Sequence, residues 1–151
     1  MIYRNTGHDF VGRSTGHASL SVWVHHLKGI EFVRDYSTGR FYGPVAKIGA
    51  GTEGWEISNA MNKTGDITVA LSGAPTLAIA GGWSQAGGHG LLSSFYGLGA
   101  DQYLSFNLVT ADGRFITADV NQNPDIFFAV RGGGGSESLS YVRVTEWQPD
   151  D

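Results

Sequence analysis

The sequence contains no cysteine among its 151 residues. That excludes disulfide frameworks, Cys-ligated zinc and cysteine nucleophiles together, and it leaves the redox compartment undetermined. Positive charge is scarce as well: 10 Lys and Arg against 14 Asp and Glu give a net charge of -4. With no basic cluster, no nucleic-acid partner is expected, because phosphate binding needs a concentrated basic surface. No apolar run approaches the ~20 residues that span a bilayer, and the first residues lack a charged-then-apolar secretory pattern. The expectation is a soluble chain with no membrane partner, no visible signal peptide and an unknown localisation.

What the chain has in excess is glycine, 23 residues where an average usage of ~7% predicts about half that number. The glycines gather in Gly7 to Gly12, in Gly81-Gly82 through Gly90, and in Gly132 to Gly135. A flexible linker surrounds its glycines with serine, whereas the first two clusters sit among His, Trp, Phe and Leu. Glycine there serves positive φ or the close approach of backbone to a ligand. A hydrophobic content of 41% with 12% aromatics is enough for one cored domain.

Alternation of apolar and polar residues predicts strands at 18–24, 30–34 and 45–50, the first two able to pair as a hairpin, with a turn-rich stretch over 35–43. Thr52 is the expected N-cap of a helix over 53–62 that stops at Gly65. Residues 67–71 read as a short strand, and a helix is expected from Gly88 to Tyr96. Asp112-Gly113 marks a hairpin between strands 103–109 and 114–118. Pro124 opens a short helix through Val130, and 139–147 form a last strand. Paired strands with few short helices give an α+β domain, mainly antiparallel sheet with flanking short helices.

Two segments carry chemistry. Arg4-Asn5-Thr6-Gly7-His8-Asp9 suits a loop whose N-H groups face an anion. Local sequence leaves His8 open between a nucleophile or ligand and an ordinary hydrogen-bonded loop histidine. In the second segment, Pro75 to Gly90, the glycines sit at the expected helix start, where free N-H groups favour an anionic group such as a pyrophosphate. It matches neither the P-loop nor the Rossmann fingerprint. His17, His25 and His26 read as surface or turn residues, and no metal site is expected. Arg131-Gly132-Gly133-Gly134-Gly135 reads as a phosphate nest or a connector.

Arg4 to Phe10, Gly12-Arg13-Ser14-Thr15-Gly16, Gly81-Gly82 with Gln85 and Gly87-Gly88-His89-Gly90, Tyr96 to Gln102, Val109 to Gly113, and Pro124-Asp125-Ile126-Phe127 through Gly135 resemble, in order, the signatures of the vanillyl-alcohol-oxidase superfamily. Within it they are most similar to the berberine-bridge-enzyme-like branch of FAD-linked oxidases. The resemblance implies the second subdomain of a PCMH-type FAD-binding domain. It implies His8 as the covalent link to the flavin 8α-methyl group. It implies cofactor-binding roles for Arg4, Asn5, Thr6, Gly7, Asp9, Pro75, Thr76, Gly81, Gly82, Gln85, Gly87, Gly88, His89, Leu98 and Asp101. Many members have a cysteine before the Pro-Thr of the second loop that makes a second flavin link. Ala74 stands there, so attachment is through His8 alone.

The family's N-terminal lobe, substrate domain and catalytic base are expected to lie outside this sequence, and Glu137-Ser138-Leu139 replaces the usual Phe-Gly after the glycines. Residues 1–136 are accordingly expected to be a partial FAD-binding domain and 137–151 a terminal strand and tail where a substrate domain would begin. No catalytic residue is assigned in the chain. The implied function is the FAD-binding portion of an oxidase that takes hydride from an alcohol or sugar hydroxyl and passes electrons to O2, giving H2O2. A second chain completing the fold is a further implied partner. Two other readings stay open: a non-catalytic domain that keeps the fold, and a small carbohydrate-binding module using exposed aromatics.

Overall fold

The computed structural model describes residues 2–134 and 140–147, the latter as backbone. Its main sheet has five antiparallel strands in the order β3-β4-β7-β5-β6. They are β3 (Ile30–Thr38), β4 (Phe41–Gly49), β5 (Tyr103–Val109), β6 (Phe115–Asp119) and β7 (Ser140–Trp147). Two short strands, β1 (Ile2–Arg4) and β2 (Ser21–Trp23), pair in parallel as a separate ribbon. The described residues thus form an α+β arrangement of mainly antiparallel sheet and short helices.

The hairpin of β5 and β6 follows its sequence signal. Gly113 adopts φ +85° at the turn, and Phe106 pairs with Ala118 across the ladder. Along β5 the alternation shows directly: Phe106 and Leu108 are buried, while Asn107 and Val109 between and after them are half-exposed. The helix α1 (Gly54–Thr64) stops at Gly65, whose φ of +76° is the left-handed closing conformation that glycine adopts without a Cβ penalty. Ile57 of α1 and Phe127 of α4 (Pro124–Ala129) close the core against Ala46, Ile48, Tyr103, Phe106 and Leu108.

Several expectations change. Strands 18–24 and 30–34 do not pair with each other: β2 joins β1, and β3 joins β4. The stretch 35–43 is largely strand, because β3 passes a bulge between Val33 and Tyr36 and turns only at Gly39 and Arg40. Cross-strand pairing there outweighs local turn propensity. Thr52 is not the cap of α1. Its hydroxyl is taken by the Gly29 backbone, donating to the carbonyl and accepting the N-H at 3.2 Å each, and Glu53 caps instead, its N-H donating to the Glu56 carboxylate at 2.8 Å.

Residues 67–71 join neither sheet. The Val69 N-H reaches the Met61 sulfur at 3.0 Å. A Cβ on Gly90 would overlap the Leu71 carbonyl, so this segment packs backbone to backbone against the second glycine loop. The helix expected from Gly88 shrinks to α2 (Ser93–Tyr96), since Gly87 and Gly88 sit at φ +99° and +75°. A kinked helical turn, Ile79–Trp83, precedes those glycines, and α3 (Gly99–Gln102) follows α2. The last strand, β7, lies in the middle of the sheet between β4 and β5.

Candidate functional site

The first loop leaves β1 and is fastened by its own backbone. The Arg4 carbonyl accepts from the Val24 N-H at 2.9 Å, and the Asn5 carbonyl accepts from the Trp23 indole at 2.8 Å. The Asn5 amide donates to the Ala50 carbonyl at 3.2 Å. Gly7, at φ +80°, lets the chain reverse beneath the Arg4 side chain, which leaves His8 exposed at the apex.

The second loop is held by a helix end. The backbone N-H groups of Gly54 and Trp55, at the start of α1, donate to the carbonyls of Leu77 at 2.9 Å and Pro75 at 2.7 Å. Free N-H groups at a helix N-terminus need partners, and here they grip the residues on either side of Thr76. A Cβ on Gly54 would stand 3.1 Å from the Pro75 carbonyl, so glycine permits the approach.

The two loops then meet. His8 Nε2 lies 2.9 Å from Thr76 Oγ1, across 68 positions of sequence. Further along the second loop, the Gly88 and Gly87 carbonyls accept from the N-H groups of Gly99 and Ala100 at 2.8 and 3.0 Å. That brings Leu98 and Asp101 beside the glycines; the Asp101 carboxylate caps the Leu98 N-H at 2.8 Å. Gln85 is buried, and its carbonyl accepts from Gly134 N-H at 2.8 Å, which ties the loop to the third glycine run. Gly135 lies outside the described residues.

Not every expected residue turns toward this meeting point. Asp9 is drawn away to Arg13, whose Nη2 and Nε lie 2.6 and 2.9 Å from one carboxylate oxygen. That hydrogen bond to the guanidinium, with the nearby positive charge, holds the Asp9 carboxyl below its ordinary range. His89 is exposed, and its carbonyl accepts from the Trp83 indole at 2.9 Å. Thr6 is half-buried. An Arg13→Gln variant is expected to move the Asp9 titration up toward the unperturbed ~3.9, as followed by carboxyl carbon NMR. Because the folded value is depressed, the pair stabilises the fold above the unfolded pKa. That contribution is lost as pH falls through the lower folded value.

Sequence inspection does not single out Trp23 or the start of α1. Trp23 stacks on His25 with ring centroids 4.7 Å apart, and His25 Nδ1 lies 3.6 Å from the Glu53 carboxylate. The available signal for the helix end is Glu53-Gly54-Trp55-Glu56, with acidic residues at the N-cap and in the first turn. His26 is exposed, as expected of a turn residue. Among the described residues no group of three or more His, Asp or Glu could hold a metal ion, and no helix is long and apolar enough to cross a membrane.

The site leaves some backbone uncovered and one side-chain acceptor without a partner among the described residues. Gly81 and Gly82 have neither left-handed backbone nor any atom within 4 Å of a would-be Cβ. Internal packing does not explain them, and they leave bare backbone facing open space. Asn5 Oδ1 is buried without a hydrogen-bond partner in the structure, an acceptor available to a ligand donor.

The model of the FAD binding domain family matches residues 1–119. The FAD-linked oxidoreductase ZEB1 of Gibberella zeae is 48% identical over 145 residues, which cover 96% of this chain and 25% of that protein. The crystal structure of the VAO-type flavoprotein MtVAO615 from Myceliophthora thermophila superimposes with a TM-score of 0.93 at 42% identity, covering 99% of this chain and 27% of the other. The fold is shared, at 22% identity and a TM-score of 0.77, with 99% of this chain and 30% of that one covered, by glucooligosaccharide oxidase from Acremonium strictum. That structure is described as carrying a 6-S-cysteinyl, 8α-N1-histidyl FAD. The chain spans about a quarter of the length of the first two relatives. It belongs to the FAD binding domain family and is similar to VAO-type flavoproteins and FAD-linked oxidoreductases.

Proposed function

We propose that these residues form the flavin-attachment part of an FAD-linked oxidase, joined to its cofactor by one covalent bond from His8 to the flavin 8α-methyl group. The observation that carries this reading is the His8 to Thr76 hydrogen bond at 2.9 Å. It brings together two loops that the family resemblance names separately as flavin-binding. Arg4 to Asp9 and Pro75 to Gly90 are the segments that would hold the cofactor, with Leu98 and Asp101 behind the second of them. Ala74 precedes Pro75 and offers no sulfur, so the second link named for the glucooligosaccharide oxidase has no counterpart here.

When bound, FAD would accept hydride from the carbon of an alcohol or sugar hydroxyl and pass the electrons to dioxygen, giving hydrogen peroxide. The chain's residues supply attachment, orientation and shielding. We assign no catalytic base to them, and propose that substrate selection belongs to further protein.

The test is direct. Purified chain incubated with FAD is expected to remain yellow after denaturation and removal of free flavin, while His8→Ala retains no covalent flavin. A colourless wild-type chain that binds no FAD would overturn the assignment, and flavin retained by His8→Ala would overturn the attachment point. Saccharide binding without flavin, measured calorimetrically, would favour a carbohydrate-binding module. Covalent flavin without turnover of any alcohol would leave a flavin-carrying domain with no catalytic capacity of its own.

A further inference from the structure

We infer that Thr76 is a positioning residue that fixes the tautomer of His8, holding the ring proton on Nε2 so that Nδ1 presents its lone pair as the attacking nitrogen. The inference rests on the proposed role of His8 and goes beyond it by naming the residue that selects the reacting nitrogen. A neutral imidazole carries one N-H and one lone pair, and whatever engages one nitrogen decides the state of the other. Thr76 Oγ1 engages Nε2.

A threonine hydroxyl can accept or donate, so the direction of this bond has to be argued. The tautomer with its proton on Nε2 is the intrinsically favoured form of histidine in water, and accepting that proton costs the hydroxyl nothing. The opposite arrangement places a proton on Nδ1 and removes the lone pair that attachment at that nitrogen uses. Both considerations run the same way: Nε2-H donates and Oγ1 accepts.

The backbone that carries the hydroxyl is held in place. The carbonyls on either side of Thr76, Pro75 and Leu77, are gripped by two N-H groups of one helix end at 2.7 and 2.9 Å. The opposing loop is fixed at Arg4 and Asn5 by Val24, Trp23 and Ala50. Loops whose backbone is held in this way are what attachment chemistry needs, since a small misplacement of a reacting atom is costly in rate.

The atom count follows. Attachment forms a bond from Nδ1 to the 8α-carbon and breaks one methyl C-H. Overall, that methyl hydrogen and the Nε2 proton leave as two protons, and the two electrons released pass through the flavin to dioxygen, giving hydrogen peroxide. Nε2 then holds a lone pair, and the contact with Thr76 persists with Oγ1 as donor.

Long-range nitrogen-proton NMR of the 151-residue chain without FAD, at about pH 8 and so above the usual imidazole range, reads the tautomer. His8 is identified by the signal lost in His8→Gln. The expected result is a proton on Nε2 in the wild type and a weaker bias in Thr76→Val. A wild-type proton on Nδ1, or a Thr76→Val spectrum unchanged at His8, would overturn the inference. With saturating FAD, Thr76→Val should attach flavin at least ~10-fold more slowly and Thr76→Ser should recover to within ~3-fold. Attachment by Thr76→Val at the wild-type rate would also overturn it. If the wild type attaches no flavin, the proposed role of His8 fails, and the NMR result alone decides what Thr76 does.

Discussion

Gly51→Ala is expected to lower the stability of the fold by ~2–3 kcal/mol and to part His8 from Thr76. Gly51 is buried, and a Cβ there would overlap the carbonyl oxygens of both Val24 and His25. Those atoms are backbone and cannot swing aside as the end of a long side chain would. The Gly51 N-H donates to the Leu27 carbonyl at 2.8 Å, and the neighbouring Gly49 N-H to Gly29 at 2.8 Å. The chain from Val24 to Gly29 is therefore laid against this corner at van der Waals distance. The corner also joins the two halves of the site: Ala50 accepts from Asn5 on one side, and α1, which starts at Gly54, grips Pro75 and Leu77 on the other. Pushing 24–29 outward moves the first loop while the second stays with α1. Urea unfolding measures the loss of stability, and NMR at His8 reads the parted contact. Gly39→Ala is the control: Gly39 lies in an exposed turn with nothing within 4 Å of its would-be Cβ, so its effect should fall within ~0.5 kcal/mol. A Gly51→Ala effect as small as that would contradict the packing described.

What the sequence reveals of this fold depends on how local the cause is. The β5-β6 hairpin carries its own instruction in Asp112-Gly113, and α1 carries its stop at Gly65; both form where periodicity and turn chemistry place them. The position of β7 has no local signature, because its place between β4 and β5 is set by partners 31 to 102 residues away. The parallel pairing of β1 with β2 is invisible for the same reason. At 35–43 local turn residues point one way and the β3-β4 ladder the other, and the ladder prevails. The site divides along the same line. Its glycine loops are legible as loops, and the order of motifs identifies the family. Their joining is not legible, since it depends on helix N-H groups at Gly54 and Trp55 and on the Trp23 indole, none of which belongs to either motif. A helix N-terminus does take part, as expected of an anion site, but it belongs to α1 and holds protein carbonyls.

Phe106→Ala is expected to cost ~3–5 kcal/mol, a large part of the ~5–15 kcal/mol that holds a typical domain folded. Phe106 is fully buried on β5, its ring 4.9 Å from that of Tyr103 and 5.8 Å from that of Phe127. Truncation leaves a cavity beneath α4 that strands hydrogen-bonded on both sides of β5 cannot collapse to fill. For a chain of this length the loss corresponds to a fall in melting temperature of roughly 10 °C. Phe128→Ala provides the contrast one residue beyond Phe127, because Phe128 is 78% exposed and its removal should stay within ~0.5 kcal/mol. The consequence extends to the site through Tyr103, whose hydroxyl donates to the Ile79 carbonyl at 3.1 Å. Ile79 opens the turn that presents Gly81 and Gly82, so a ring that loses its neighbour also loosens the turn it anchors. Amide exchange at Gly81 and Gly82 should therefore accelerate in Phe106→Ala under conditions where the rest of the chain remains folded. If exchange there stays at the wild-type rate while stability falls, the core and the glycine turn are independent, and Tyr103 is not the strut between them.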